Sequence, residues 1–405
     1  MRVWDASNAS NVQFRWSQRE EIAEIMLPTV ATMIENANLV KGLVQRILDI
    51  EKRDQGAPGD SGSSLRFASS VSTITNGTDN PDGFDLSSWP VISFSNSSTK
   101  SADSLTTRLL VGADGANSPV RSFADIGSRG WDYQRHGVVA TLRLEMEMAD
   151  EGVSSMFDFK APTATAYQRF LPSCGGPIAL LPLPQGNASL VWSTTPSIAS
   201  HLKSLSPEAL VATVNAAFLL SPADLHYIIS LPPQPASPLS DQSHQPCIHQ
   251  EQLRWRLQHA PQQPHPPPLV KSLQPNTLAS FPLRFRQSST YTGPRTALVG
   301  DAAHTIHPLA GQGLNLGLAD ACTLFQTIES AVLKGQDLGD ELTVLSRYNA
   351  QRWSKGLLMG GACDAFHWLY GFNTSAAAAA RAIGMSTFDR LTGVKEWLMT
   401  KAAAG

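Results

Sequence analysis

The run from Ala297 to Gly317 constrains this chain more than any other stretch. Ala297-Leu298-Val299 ends at Gly300-Asp301, a loop follows through His304, His307 and Pro308, and Gly311-Gln312-Gly313 then opens a segment in which Leu314, Leu318, Ala321, Phe325, Ile328 and Val332 mark a helix. A buried strand, a glycine-rich turn and a helix in succession form the crossover of an open α/β sheet, whose ligands bind beyond the carboxyl ends of the strands. Asp301 at the strand tip is placed to accept hydrogen bonds from ligand hydroxyls, and a polyol is a natural partner. The bare amides and positive dipole end at Gly311-Gln312-Gly313 favour an anionic or electron-accepting group. A tight packing turn is the alternative, and a carboxylate and a glycine nest on one crossover weigh against it.

A second junction of the same kind lies upstream. Leu109-Leu110-Val111-Gly112 runs into Ala113-Asp114-Gly115-Ala116-Asn117, and Ser118-Pro119 fits an N-cap followed by proline at the first helical position, with Arg121 one turn on. From spacing alone, a ligand site and a packing turn stand level here.

Composition narrows the partners. The 405 residues are 42% hydrophobic and only 16% charged, which suits a folded chain of two or three domains. A formal charge of −3 excludes broad attraction to phosphate backbones, so nucleic acid is not expected as a partner. The four cysteines, Cys174, Cys247, Cys322 and Cys363, are scattered without a CxxC pair and read as ordinary thiols in a reducing compartment, with Cys322 expected in the core. No run reaches the roughly 18 apolar residues of a membrane span, and no presequence is expected in the opening residues. His304 and His307 have no third ligand nearby in sequence and predict hydrogen-bonded structure, with no metal.

Along the chain, the spacing predicts a helix from Ile22 to Ile50, polar-turned hairpins over residues 55–104, and a meander through Val138–Leu144, Tyr167–Leu171, Ile178–Leu183 and Leu190–Ser193. A helix from Pro207 to Leu220 follows. Residues 231–268 hold much of the proline and are expected to form a surface insertion without helix or central strand. Strand, glycine loop and helix return after Leu283, and helices dominate from Tyr348 onward. Leu391, Val394, Trp397 and Leu398 lie on one side of a terminal helix with Lys395 and Lys401 beside them; packing on the protein body is favoured over an interfacial role.

Together the two junctions resemble those of the single-component flavin aromatic hydroxylases. Met1-Arg2-Val3-Trp4-Asp5-Ala6, Ile34-Glu35-Asn36-Ala37-Asn38-Leu39, Gln168-Arg169-Phe170-Leu171-Pro172, Gly176–Leu183 and Leu190–Thr194 look like the ubiquinone-biosynthesis branch of that family. The resemblance implies an α/β fold: an FAD-binding, glutathione-reductase-like (Rossmann-type) domain, a substrate domain built on a mainly antiparallel sheet, and a helical C-terminus. It divides the chain into 1–125 (partial FAD-binding domain), 126–285 (substrate sheet with the insertion 231–268), 286–345 (return to the FAD-binding domain) and 346–405 (helical region). Carried over by position, Gly300 and Asp301 would hold the ribityl chain of FAD, the segment Gly311, Gln312, Gly313 and Asn315 would face the flavin pyrimidine edge, and Pro308 would line the reacting face. Asp114, Gly115 and Arg121 would lie toward the pyrophosphate, and Asn36 is a further flavin contact. No acid or base acting on the substrate is assigned.

The implied reaction delivers one atom of O2 to the ring of a polyprenylated phenol or benzoate, with ferredoxin and its reductase or NAD(P)H as electron source. The implied setting is mitochondrial, on the matrix side of the inner membrane, among other ubiquinone-biosynthesis proteins. The family opens with a strand, a GxGxxG turn and a helix; this sequence has no GxGxxG, so the first βαβ unit is expected to be missing. Two other readings stay open: a catalytically impaired homologue serving as a non-enzymatic member of the biosynthetic complex, and an FAD-dependent reductase of polyprenyl groups.

Overall fold

A computed structural model describes residues 1–8, 10–14, 31–54, 64–79, 83–96, 102–145, 165–233, 246–261, 266–307, 311–372 and 374–403. In chain order the elements are β1 (Arg2–Asp5), β2 (Asn11–Gln13), α1 (Asn36–Asp54), β3 (Ser69–Asn76), β4 (Pro90–Asn96), β5 (Ala102–Thr106), β6 (Leu110–Gly112), α2 (Pro119–Phe123), β7 (Ser128–Leu144), β8 (Tyr167–Leu171), β9 (Gly176–Leu183) and β10 (Asn187–Thr194). They continue with α3 (Pro196–Ser204), α4 (Pro207–Leu219), α5 (Pro222–Ser230), α6 (Ile248–His259), β11 (Val270–Leu273), β12 (Ala279–Ser288), β13 (Thr292–Gly293), β14 (Thr296–Leu298), β15 (His304–Thr305), α7 (Gly313–Leu333), α8 (Ser346–Gly371), α9 (Ser375–Arg390) and α10 (Thr392–Ala403). The chain forms two units: Met1–Ile34, Asp132–Leu283 and Ala365–Ala404 make the first, and Glu35–Trp131 with Arg284–Asp364 the second.

The first unit is built on the predicted meander. β7, β10, β9 and β8 pair antiparallel in that order, β1 adds to β8 in parallel, and β2 turns back on β1. Alternation along these strands buries Val138, Ala140, Leu142, Ile178, Leu180, Leu190 and Trp192 against Leu202, Leu210, Val214, Phe218, Leu225 and Ile228. The helices carrying those partners begin alike. Thr195-Pro196, Ser206-Pro207 and Ser221-Pro222 place a hydroxyl N-cap before a proline whose missing N–H is no loss in the first turn, and each cap side chain accepts a backbone N–H three residues on. Helix α4 is the one that the sequence spacing predicts from Pro207 to Leu220, and α3 and α5 flank it as further helices.

Two further expectations change here. The interval 231–268 is expected to exclude helix, yet α6 occupies Ile248–His259, because Cys247 to Ala260 is free of proline and Gln250 folds back to cap the Cys247 amide. Residues 234–245 and 262–265 of that interval lie outside the described residues. The family resemblance assigns residues 1–125 to a partial FAD-binding domain; within that span, β1 and β2 are strands of the first unit's sheet, because Arg2–Asp5 pair in register with Tyr167–Phe170.

The second unit places β6 parallel to β14, with β13 antiparallel beyond it, while β3, β4 and β5 form the hairpin sheet expected for residues 55–104. The helix predicted from Ile22 begins only at Asn36; residues 22–30 lie outside the described residues. The core of this unit gathers Leu110, Val120, Ala297, Leu298, Leu324, Val344, Leu345 and Tyr348.

Candidate active site

Both sequence-predicted junctions lie in the second unit, and the register Leu110↔Thr296, Val111↔Ala297, Gly112↔Leu298 brings their strand ends level. Gly112 allows this approach, since a Cβ there would meet Leu298 and Val120 side chains at 2.9 Å. In the first turn Ser118 caps α2 by accepting the Arg121 N–H at 2.9 Å, and Asp114 Oδ2 accepts the Val120 N–H at 3.1 Å. Gly115 takes φ +84, a conformation that glycine adopts at little cost. Arg121 ties the turns together, donating from Nη1 to the Ala302 carbonyl at 2.9 Å and from Nη2 to the Ala116 carbonyl at 2.7 Å.

At the second turn Val299 is extended, Gly300 adopts φ +60, and Asp301 sits exposed in the single 3-10 turn Gly300–Ala302. The start of α7 packs directly against it: a Cβ on Gly317 would meet the Gly300 Cα at 3.3 Å. Gly311 also takes a left-handed φ of +61, Gln312 is the N-cap residue of α7 without a side-chain capping bond, and Asn315 Nδ2 donates to Gln312 Oε1 at 3.1 Å. The opening amides of a 21-residue helix therefore receive no cap from the N-cap side chain, at the end where the dipole is positive. Among the described residues, and apart from the adjoining backbone and chain neighbours, no heavy atom lies within 4 Å of where a Cβ would stand on Gly311, Gly313 or Gly115.

Beneath the second turn lies a buried polar group. Asp320 is fully buried; its Oδ2 accepts the Gly300 N–H at 3.1 Å and is 2.6 Å from His304 Nε2, while Oδ1 accepts from Arg352 Nε at 2.7 Å. Arg352 also donates to the Leu316 carbonyl at 3.2 Å. Tyr348 donates its hydroxyl to the Leu298 carbonyl at 2.6 Å, and Tyr291 stands beside His304 with ring centroids 5.5 Å apart. Burial pushes both phenols well above the ordinary tyrosine range, so each remains a neutral hydrogen-bonding group.

The Arg121–Ala302 bond thus links the turn of Asp114, Gly115 and Arg121 to that of Gly300 and Asp301, and Gly317 packs the helix that opens with Gly311, Gln312, Gly313 and Asn315 against Gly300. Asn36 opens α1 as an exposed residue, with no hydrogen bond among the described residues tying it to either turn. Pro308 lies outside the described residues. His304 is hydrogen-bonded structure, as its spacing suggests, and among the described residues no group of three or more His, Cys, Asp or Glu is arranged to hold a metal ion. Cys322, expected in the core, is exposed together with Leu314, Leu318 and Phe325, because α7 buries the stripe Leu316, Asp320, Leu324, Thr327 and Ala331 instead. Sequence spacing does not single out Asp320 or Arg352; an aspartate three residues past Gly317 within an apolar helix is the available signal.

The residues present fit FAD. An exposed carboxylate at a strand tip suits a ribityl chain, amides that the Gln312 side chain leaves uncapped suit an electron-accepting ring edge, and among the described residues nothing fills the space over Gly311 and Gly313. A family model described as an FAD binding domain matches residues 241–355. The mitochondrial ubiquinone biosynthesis monooxygenase COQ6 of Schizosaccharomyces pombe is 37% identical over 377 residues, covering 93% of this chain and 70% of that protein. Its counterpart in Saccharomyces cerevisiae is 38% identical over 326 residues, covering 78% of this chain and 62% of that protein. The chain therefore spans between about three fifths and seven tenths of the length of these two relatives. Among solved structures, the OxyS anhydrotetracycline hydroxylase of Streptomyces rimosus superposes with a TM-score of 0.52 at 18% identity, covering 92% of this chain and 56% of that one. The p-nitrophenol 4-monooxygenase PnpA of Pseudomonas putida DLL-E4 gives 0.51 at 17% identity, covering 82% and 65%. These two likenesses concern the fold. By sequence, the chain belongs to the COQ6 family of mitochondrial ubiquinone-biosynthesis monooxygenases.

Proposed function

We propose that this chain binds FAD at the paired turns and serves hydroxylation of the aromatic ring of a polyprenylated phenol or benzoate in ubiquinone biosynthesis. One observation carries the reading: the exposed Asp301 carboxylate and the amino end of α7, which the Gln312 side chain leaves uncapped, lie on one crossover, with Gly300 and Gly317 closely packed together. Bound FAD supplies the oxygen-activating chemistry. Asp301 accepts the ribityl hydroxyls, and the amides from Gly311 to Gly313, with Gln312 and Asn315 beside them, favour negative charge on the ring edge they face. Gly115 leaves room for the cofactor, and Arg121, aided by Asp114, fixes the turn on the pyrophosphate side. Pro308 is proposed to line the reacting face and Asn36 to make a further flavin contact.

In this reading the second unit is the cofactor-binding part, of glutathione-reductase-like type, and the first unit's sheet takes the substrate. Its relatives' names favour the monooxygenase over a polyprenyl reductase or an inert complex member. Ferredoxin with its reductase, or NAD(P)H, supplies electrons. The proposed setting is the matrix side of the inner mitochondrial membrane. Leu391, Val394 and Trp397, all exposed at the start of α10 and along it, support peripheral contact there, and liposome binding unchanged by deleting residues 388–405 would remove it. Titrating FAD into the purified protein, followed by the flavin spectrum, tests the reading at its root: a folded protein that leaves the spectrum of free FAD unaltered contradicts it.

A further inference from the structure

The buried carboxylate below the Gly300–Asp301 turn is not among the groups that face FAD in the reading above. Asp320 receives donors from three separate places in the chain: the Gly300 amide at 3.1 Å, the His304 ring at 2.6 Å and the Arg352 guanidinium at 2.7 Å. The side chains of Asp320, His304 and Arg352 are at most 2% exposed. With a carboxylate as its partner, His304 carries its proton on Nε2 and donates it. Arg352, from α8, also holds the Leu316 carbonyl and so fixes the turn of α7 that carries Asp320. Gly317 makes this closeness possible, because even a methyl group there would touch the Gly300 Cα at 3.3 Å.

We propose that Asp320 is a positioning residue for FAD binding. Gripping the Gly300 amide holds the turn at its left-handed φ before any ligand arrives, so that Asp301 is presented beside the amino end of α7. Arg352 and His304 orient the Asp320 carboxylate so that one oxygen also reaches that amide. A carboxylate presented in advance binds without the entropic cost of ordering a loop. The inference rests on the FAD reading for its consequence; the preorganised turn stands apart from it.

Two measurements test the proposal. In Asp320→Asn one oxygen and one NH2 group must meet three donors, so the turn loses its anchor. FAD affinity, read by quenching of flavin fluorescence, is expected to fall at least about tenfold. The double variant Asp320→Asn/Arg352→Gln removes the buried charge left behind; its melting temperature should recover toward wild type while the loss of affinity persists. Recovery of affinity in step with melting temperature would make Asp320 merely structural and overturn the proposal. The second measurement is hydrogen exchange on the flavin-free wild-type protein. The Gly300 amide should be as protected as the buried turns of α7, and fast exchange there, slowed only by FAD, would overturn preorganisation. Failure of the wild-type protein to bind FAD would show separately, in the titration, as failure of the FAD reading.

Discussion

Arg121 donates across the strand ends to the carbonyl of Ala302 at 2.9 Å, so a residue of the first turn holds the backbone of the second. The same guanidinium grips its own turn through the Ala116 carbonyl at 2.7 Å. The two motifs, far apart in sequence, thereby form one surface.

Removing the Arg121 guanidinium should loosen both turns at once. Arg121→Ala is expected to cost about 1.5–3 kcal/mol, the range for hydrogen bonds to a charged group, and to weaken FAD binding. Arg121→Lys keeps the charge but cannot span both carbonyls, and should recover only part of each. Denaturant unfolding and FAD titration on the same samples check this.

Gly311 combines a left-handed φ of +61 with a side-chain position that no described residue beyond its chain neighbours approaches within 4 Å. Gly311→Ala is therefore expected to cost about 1–2 kcal/mol of stability through backbone strain alone. Its methyl group would also enter the space assigned to the flavin, so FAD affinity should fall by more than the melting temperature implies.

In the first unit, Asp5 Oδ2 accepts from Arg381 Nε at 2.8 Å with both side chains fully buried, and Arg381 also donates to the Phe372 carbonyl, just past the end of α8, at 2.7 Å. Breaking a buried pair strands a charge. Arg381→Met should destabilise the protein by about 3–5 kcal/mol, and the double variant Asp5→Asn/Arg381→Met by less, as read by denaturant unfolding.

His201 and His249 supply a pH test. Burial lowers the affinity of both rings for protons, and His201 nearby further disfavours charge on His249. The unfolded chain then binds more protons than the native one once pH falls to about 6.5, the ordinary histidine value, so this contribution to stability is full above that pH and declines below it. Melting temperatures between pH 7.5 and 5.5 should decline in wild type, and His249→Leu should flatten the decline.

Much of this is legible in sequence because it depends on local chemistry. The meander strands, the Ser118-Pro119 cap and the start of α7 all follow from turn residues and periodicity. What escapes depends on which face of an element meets its neighbours. Helix α7 is apolar nearly all round, so its sequence does not tell that Asp320 lies inward and Cys322 outward. Arg352 becomes part of the site only because α8 reaches α7 at Asp320 and Leu316, a contact of long sequence separation. In 231–268, the weight of proline on either side masks the short proline-free run that forms α6.

The most direct measurement is the FAD dissociation constant of wild type against Asp301→Ala. The Asp301 residue is exposed, and its carboxylate forms no hydrogen bond or ion pair with the described residues, so the two proteins should melt together while the variant binds FAD at least about tenfold more weakly. Equal affinity in a variant of unchanged stability would contradict the account.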